Sequence, residues 1–131
     1  MQTTTLVTDL FFGEGPRWHD QRLWFSDMHA HQVLSVDDHG TTRVELEVKN
    51  QPSGLGWLPD GDLLVVDRSI TAETGMVVVA VVDGEFTVKR LRRTNGTLVL
   101  AAEHSGYRPI PVGPETEVCI WGVVTWVIHR P

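Results

Sequence analysis

Leu58-Pro59-Asp60-Gly61-Asp62-Leu63-Leu64-Val65-Val66 reads as a turn followed by an apolar strand. Pro and Asp-Gly favour chain reversal, and the Leu-Leu-Val-Val run favours extended, buried backbone. Strand signals continue on both sides of it. Residues 76–82 are almost pure Val and meet Asp83-Gly84, a dipeptide suited to a hairpin because a type I′ turn needs positive φ at both positions. Residues 85–93 return, Asn95-Gly96 turns again, and 97–102 complete a predicted three-strand meander. A Pro-rich connection, 106–114, leads to a long closing strand, 117–129, bent at Gly122.

On the N-terminal side, residues 2–12 begin Thr-rich and reach Leu10-Phe11-Phe12, which predicts a first strand. Gly13-Glu14-Gly15-Pro16 is expected to break it, since Pro cannot donate to a central ladder. Strands are expected at 22–27, 31–36, 41–48 and 55–58. In 41–48 the alternation places Val44, Leu46 and Val48 on one half-buried face. No segment reads as a helix; residues 71–74 suggest only a turn. The expected fold is all-β, a single compact barrel or sandwich.

Composition narrows the function classes. The 131 residues can bury a core without disulfides or metal, and 21% charged residues are too few for disorder. A net charge of −6 argues against nucleic-acid binding through phosphate neutralisation. The basic cluster Lys89-Arg90 and Arg92-Arg93 reads as a solvated strand end, because neighbouring strand residues face opposite ways. A single Cys119 suits a reducing compartment, and no leader pattern or long apolar run predicts export or membrane insertion. The expectation is a cytoplasmic protein with neither nucleic acid nor membrane as partner.

Two family resemblances follow. Gly13-Glu14-Gly15-Pro16-Arg17-Trp18, Leu23-Trp24-Phe25-Ser26-Asp27, Val33-Leu34-Ser35-Val36-Asp37 and Gln51-Pro52-Ser53-Gly54-Leu55-Gly56-Trp57-Leu58-Pro59-Asp60-Gly61 resemble the gluconolactonase, senescence-marker and luciferin-regenerating propellers over about one blade. That resemblance implies a divalent-metal ligand at Glu14. Asp60-Gly61-Asp62-Leu63-Leu64-Val65-Val66-Asp67, Asp83-Gly84-Glu85-Phe86-Thr87-Val88-Lys89-Arg90-Leu91, Glu103-His104-Ser105-Gly106-Tyr107-Arg108-Pro109-Ile110 and Ile120-Trp121-Gly122-Val123-Val124 resemble the C-terminal domain of LexA/UmuD-type SOS self-cleaving proteins, above all the UmuD branch. That family uses a Ser-Lys dyad in which a neutral, desolvated Lys takes the Ser proton. The resemblance places the Lys at Lys89, while the Gly-Asp-Ser-Met motif of the nucleophile is absent from the chain. Both patterns share the opening stretch. The expected organisation is therefore a propeller-blade-like segment, 1–59, and a UmuD/LexA-like segment, 60–131, folded as one joint domain.

Each candidate group has a plainer reading. Lys89 is a vestigial base without a partner; Ser69 and Ser105 lie nearest in sequence but lack the family context. Asp27, His29 and His31 would share one face of an extended strand and, with Glu14, could capture an adventitious divalent cation, or Met28-His29-Ala30-His31 form an exposed turn. Trp18, Trp24, Trp57, Trp121 and Trp126 could line a ligand groove but more simply serve core or interface. The uncharged Val run is a hazard at an exposed edge, so Val77, Val79, Val81, Trp121 and Trp126 are interface candidates for a homodimer, with strands exchanged in one version. The leading expectation is a recombinant or designed chimera, selected for folding, without evolved catalysis or cofactor. Its rivals are a residual metal-dependent lactonase centred on Glu14 and a UmuD-like partner-binding module, inactive in its dyad, that contacts a polymerase or a recombinase filament.

Overall fold

The computed structural model describes residues 2–103 and 106–129. Among them every regular element is a strand: β1 (Gly13–His19), β2 (Arg22–Asp27), β3 (Gln32–Val36), β4 (Thr42–Glu47), β5 (Gly54–Trp57), β6 (Leu63–Asp67), β7 (Val77–Val82), β8 (Glu85–Thr94), β9 (Thr97–Ala101), β10 (Ile110–Pro111) and β11 (Val118–Ile128). The all-β expectation holds. Two compact units are present: Met1–Asp67 with Trp126–Pro131, and Arg68–Thr125.

In the first unit β1 to β4 form an antiparallel meander in chain order. The β1–β2 turn places Asp20 at φ 52° and Gln21 at φ 59°, a type I′ geometry without the usual Asn-Gly or Asp-Gly. One sheet face carries Trp24 and Val33, clustered with Leu55, Leu63 and Val65 of the β5–β6 hairpin. The opposite face carries Phe25, Leu34 and Val36, against which Leu23 and Val7 pack. The N-terminal residues therefore act as a cover. Residues 2–12 contain no strand, and β1 begins at Gly13 and passes through Pro16. Pro16 is tolerated because β1 is an edge strand with a register shift between Glu14 and Arg17. Gly15 in that shift has φ +62°, and a Cβ there would sit 2.5 Å from the Ser53 carbonyl oxygen. Only glycine fits this approach.

β4 also departs from its expected alternation. Val33 opposes Leu46 while Leu34 opposes Val44, so Glu45 is an extra residue in a β-bulge. Val44 is consequently 54% exposed, whereas Val48 is buried. Arg22 ties β2 to β3 and to the residue that precedes β4, donating from Nε to Ser35 Oγ (2.7 Å) and from a terminal nitrogen to the Thr41 carbonyl (3.0 Å).

The second unit orders its strands β10-β9-β8-β7-β11. Both predicted turns close as type I′, with φ 49° and 85° at Asp83-Gly84 and 50° and 76° at Asn95-Gly96. Val78, Ala80, Leu91, Leu100 and Val123 form its core. Each fully buried Val or Leu side chain here contributes about 2 kcal/mol. The Val run is not an exposed edge, because β7 pairs with β8 on one side and β11 on the other. The bend expected at Gly122 is a register shift between Ile120 and Gly122.

Candidate functional site

Lys89 lies in β8 opposite Val78, a fully buried core residue, and two positions from buried Leu91. Cross-strand partners share a face, so Lys89 rises from the apolar face of its unit. Its Nζ stands 5.8 Å from the centre of the Tyr107 ring, within cation–π range. Arg90, facing the other way, is bound by Glu103 at 2.5 Å and donates to the Gly75 carbonyl at 2.7 Å. The basic cluster is thus split between two environments rather than forming one patch.

Of the serines, Ser69 is exposed and Ser105 lies outside the described residues. Ser53, just upstream of the Asp60-Gly61-Asp62 motif, is buried, and its Oγ donates to the Val66 carbonyl at 3.1 Å. That hydroxyl is committed to the β5–β6 hairpin. Its burial could have been suspected only from its place between Pro52 and Gly54 ahead of an apolar strand.

The candidate metal ligands do not come together. Asp27 is buried at the end of β2, where its carboxylate accepts the backbone N–H of Phe11 (3.1 Å) and of Phe12 (2.8 Å). It anchors the N-terminal cover. Beyond it the chain turns rather than continuing extended: His31 has φ 57° and its N–H donates to the Met28 carbonyl at 3.3 Å. His29 is exposed and packs against Phe12 with ring centres 5.3 Å apart, while His31 Nδ1 lies 3.0 Å from the Lys49 carbonyl. The turn reading of these residues is therefore the one the structure adopts. Glu14 borders an apolar hollow of about 310 Å3 with Leu6, Leu10, Leu23 and Phe25. Among the described residues no three of His, Cys, Asp and Glu are grouped to hold a metal ion.

The interface candidates divide between the units. Val79 opposes Val88, Val81 opposes Phe86, and Val77 opposes Arg90. Trp121 meets Phe86 edge to face at 6.1 Å and carries the Arg68 guanidinium 4.4 Å above its ring. Phe86 is 67% exposed, so this face of the second unit presents an apolar patch. Trp126, 43% exposed, belongs to the first unit. No helix among the described residues is long and apolar enough to cross a membrane.

The all-β chain, with Lys89 on the apolar face of the hairpin that Asp83-Gly84 closes, is compatible with the resemblance to LexA/UmuD-type domains carried by its sequence. The chain belongs to the Peptidase S24-like family, whose pattern matches residues 46–125. It is 35% identical to "Protein ImpA" of Salmonella typhimurium over 112 residues, covering 78% of this chain and 72% of that protein. It is 42% identical to "LexA repressor 2" of Pseudomonas putida over 107 residues, covering 79% of this chain and 53% of the repressor. A match to the "LexA repressor" of Dechloromonas aromatica reaches 44% over 71 residues.

These matches overturn the expectation of a recombinant or designed chimera selected for folding. The family pattern begins at residue 46, upstream of the supposed join at Pro59. A coverage of 78% of 131 residues is about 102, more than the 72 residues that make up 60–131, so the ImpA match crosses that join. The shared stretch at 58–66 is internal to the family domain. A separately derived propeller segment finds no support in these matches.

Proposed function

We propose that this chain is a UmuD/LexA-like interaction module that self-associates and engages a polymerase or recombinase filament, without running a Ser-Lys cleavage reaction. The observation that carries this reading is the combination at Lys89. Lys89, which the resemblance places at the family's base position, lies on an apolar face opposite Val78, while the sequence contains no Gly-Asp-Ser-Met segment to supply a nucleophile. A base without an activated hydroxyl within hydrogen-bond reach cannot begin acyl transfer. The strands around that position pair without register shifts, which supports a surface able to bind partners without the chemistry.

The apolar patch of Val81, Phe86 and Trp121 is the surface assigned to self-association. Phe86 and Trp121 supply the aromatic anchors that such contacts favour. Co-sedimentation with a recombinase filament on single-stranded DNA, and light scattering of the chain alone, test the two halves of the reading. The chain is expected to sediment with the filament and to scatter at twice its 14.7 kDa mass. Phe86→Asp is expected to return it to that monomer mass. A chain that stays monomeric and ignores both filament and polymerase would contradict the assignment.

A further inference from the structure

The sheet of the second unit has two unlike faces. Val78, Ala80, Leu91 and Leu100 point into the core with Val82, Val118 and Ile120. Side chains alternate along a strand, so Val79, Val81, Phe86, Val88 and Cys119 point the other way. The register agrees: Val79 opposes Val88, and Val81 opposes both Phe86 and Cys119. Phe86 and Cys119 are exposed, and Val81 and Val88 are half-buried. This apolar row ends in opposite charges. At one end Arg92, opposite Val99 on the same face, is exposed and enters no hydrogen bond or ion pair among the described residues. At the other, Asp83, Glu85 and Glu117 are all exposed, and the Asp83 N–H donates to the Glu117 carbonyl at 3.0 Å. Arg92 stands six residues beyond Phe86 on β8, about 20 Å at roughly 3.3 Å per residue.

A partner surface of uniform charge would suit one end of this row and oppose the other. A second copy suits both, provided that the strands of the two sheets run in opposite directions. A two-fold axis crossing the strands lays the Arg92 end of each copy over the acidic end of its mate; an axis along the strands would set Arg92 on Arg92. Stacked sheets lie about 10 Å apart, a gap that an arginine and a glutamate side chain can bridge together. We infer that this face pairs with the same face of a second copy in the antiparallel sense, with Arg92 of each chain against Glu85 and Glu117 of the other. The inference rests on the self-association proposed for Val81, Phe86 and Trp121, and it adds the orientation and the residues that select it. The apolar row supplies the burial, and the charged ends reject the reversed stacking, in which like charges would meet. Each chain carries a net charge of −6, so without such a match two copies repel.

Charge reversal with cross-rescue tests it, read by sedimentation equilibrium of the full chain. Arg92→Glu alone, and Glu85→Lys together with Glu117→Lys, should each weaken pairing about tenfold, because like charges then meet at both ends of the stack. An equimolar mixture of the two variants should recover the parent's affinity as a heterodimer, which a merely structural effect of either change would not produce. Should a reversal fail to fold, the milder Arg92→Gln takes its place and should weaken pairing about threefold. Pairing that ignores every one of these changes, or weakening that mixing does not rescue, would overturn the antiparallel face while leaving self-association in place. A parent chain that stays monomeric would remove the self-association reading and this one with it.

Discussion

In the second unit, two-residue turns set the strand register: Asp83-Gly84 and Asn95-Gly96 each hold both positions at positive φ, and the strands between them run in unbroken register. In the first unit, buried and half-buried polar side chains do much of that work. Asp27 pins the N-terminal cover, Arg22 and Ser35 knit β2 to β4, and bulges displace β1 and β4 from simple alternation. The difference teaches where each unit is vulnerable. The second depends on apolar packing behind local turns, the first on long-range hydrogen bonds that a single side chain supplies.

Breaking the apolar side of this comparison should have the largest effect. Leu100 is fully buried in the second core, and Leu100→Ala should cost about 4 kcal/mol through lost burial and the cavity left behind. Urea unfolding at unchanged m-value reads this directly. On the polar side, Asp27→Ala removes the acceptor for two backbone N–H groups and should cost about 3 kcal/mol. Faster hydrogen exchange at Phe11 and Phe12, with the second unit unaffected, would show that the cover has been released.

Sharpening the comparison takes smaller changes. The Ser26 hydroxyl is fully buried and has no hydrogen-bond partner among the described residues. Ser26→Ala should therefore stabilise by about 1 kcal/mol, measured in the same unfolding assay, because it removes an unpaired polar atom from the core. The smallest effect is electrostatic. The hydrogen bond between His129 and Asp62, 2.5 Å long, raises the His129 pKa above its ordinary 6.5. The protonated pair contributes its full stability below that ordinary value and loses it as pH rises through the raised folded value. Both groups belong to the first unit, so Asp62→Asn should flatten this part of the pH profile without altering the second unit's exchange protection.

The same contrast explains what was legible in the sequence. The second meander could be read almost residue by residue, because Asp-Gly and Asn-Gly advertise their turns and the nearly unbroken Val run marks the strand before them. In the first unit Pro16 looked like a strand breaker, yet it occupies an edge bulge in β1. Glu45 reversed the expected alternation of Val44 and Leu46, and nothing in local composition marks the residue that will bulge. Asp27, His29 and His31 suggested a metal face only while the strand was imagined to continue through His31, where φ is 57°. Lys89 was found by resemblance, and its apolar surroundings emerge only from pairing with Val78. The row that runs from Arg92 to Glu117 draws on three strands, and only the pairing of β7 with β8 and β11 puts its two ends on one face.

The central claim is that the base position at Lys89 has outlived its nucleophile. It is tested most directly by the intact mass of the purified chain after incubation with an activated recombinase filament, and separately at about pH 10, where an ordinary lysine begins to lose its proton. A single species at 14.7 kDa under both conditions is the predicted result. Two complementary fragments that disappear in Lys89→Ala would contradict it.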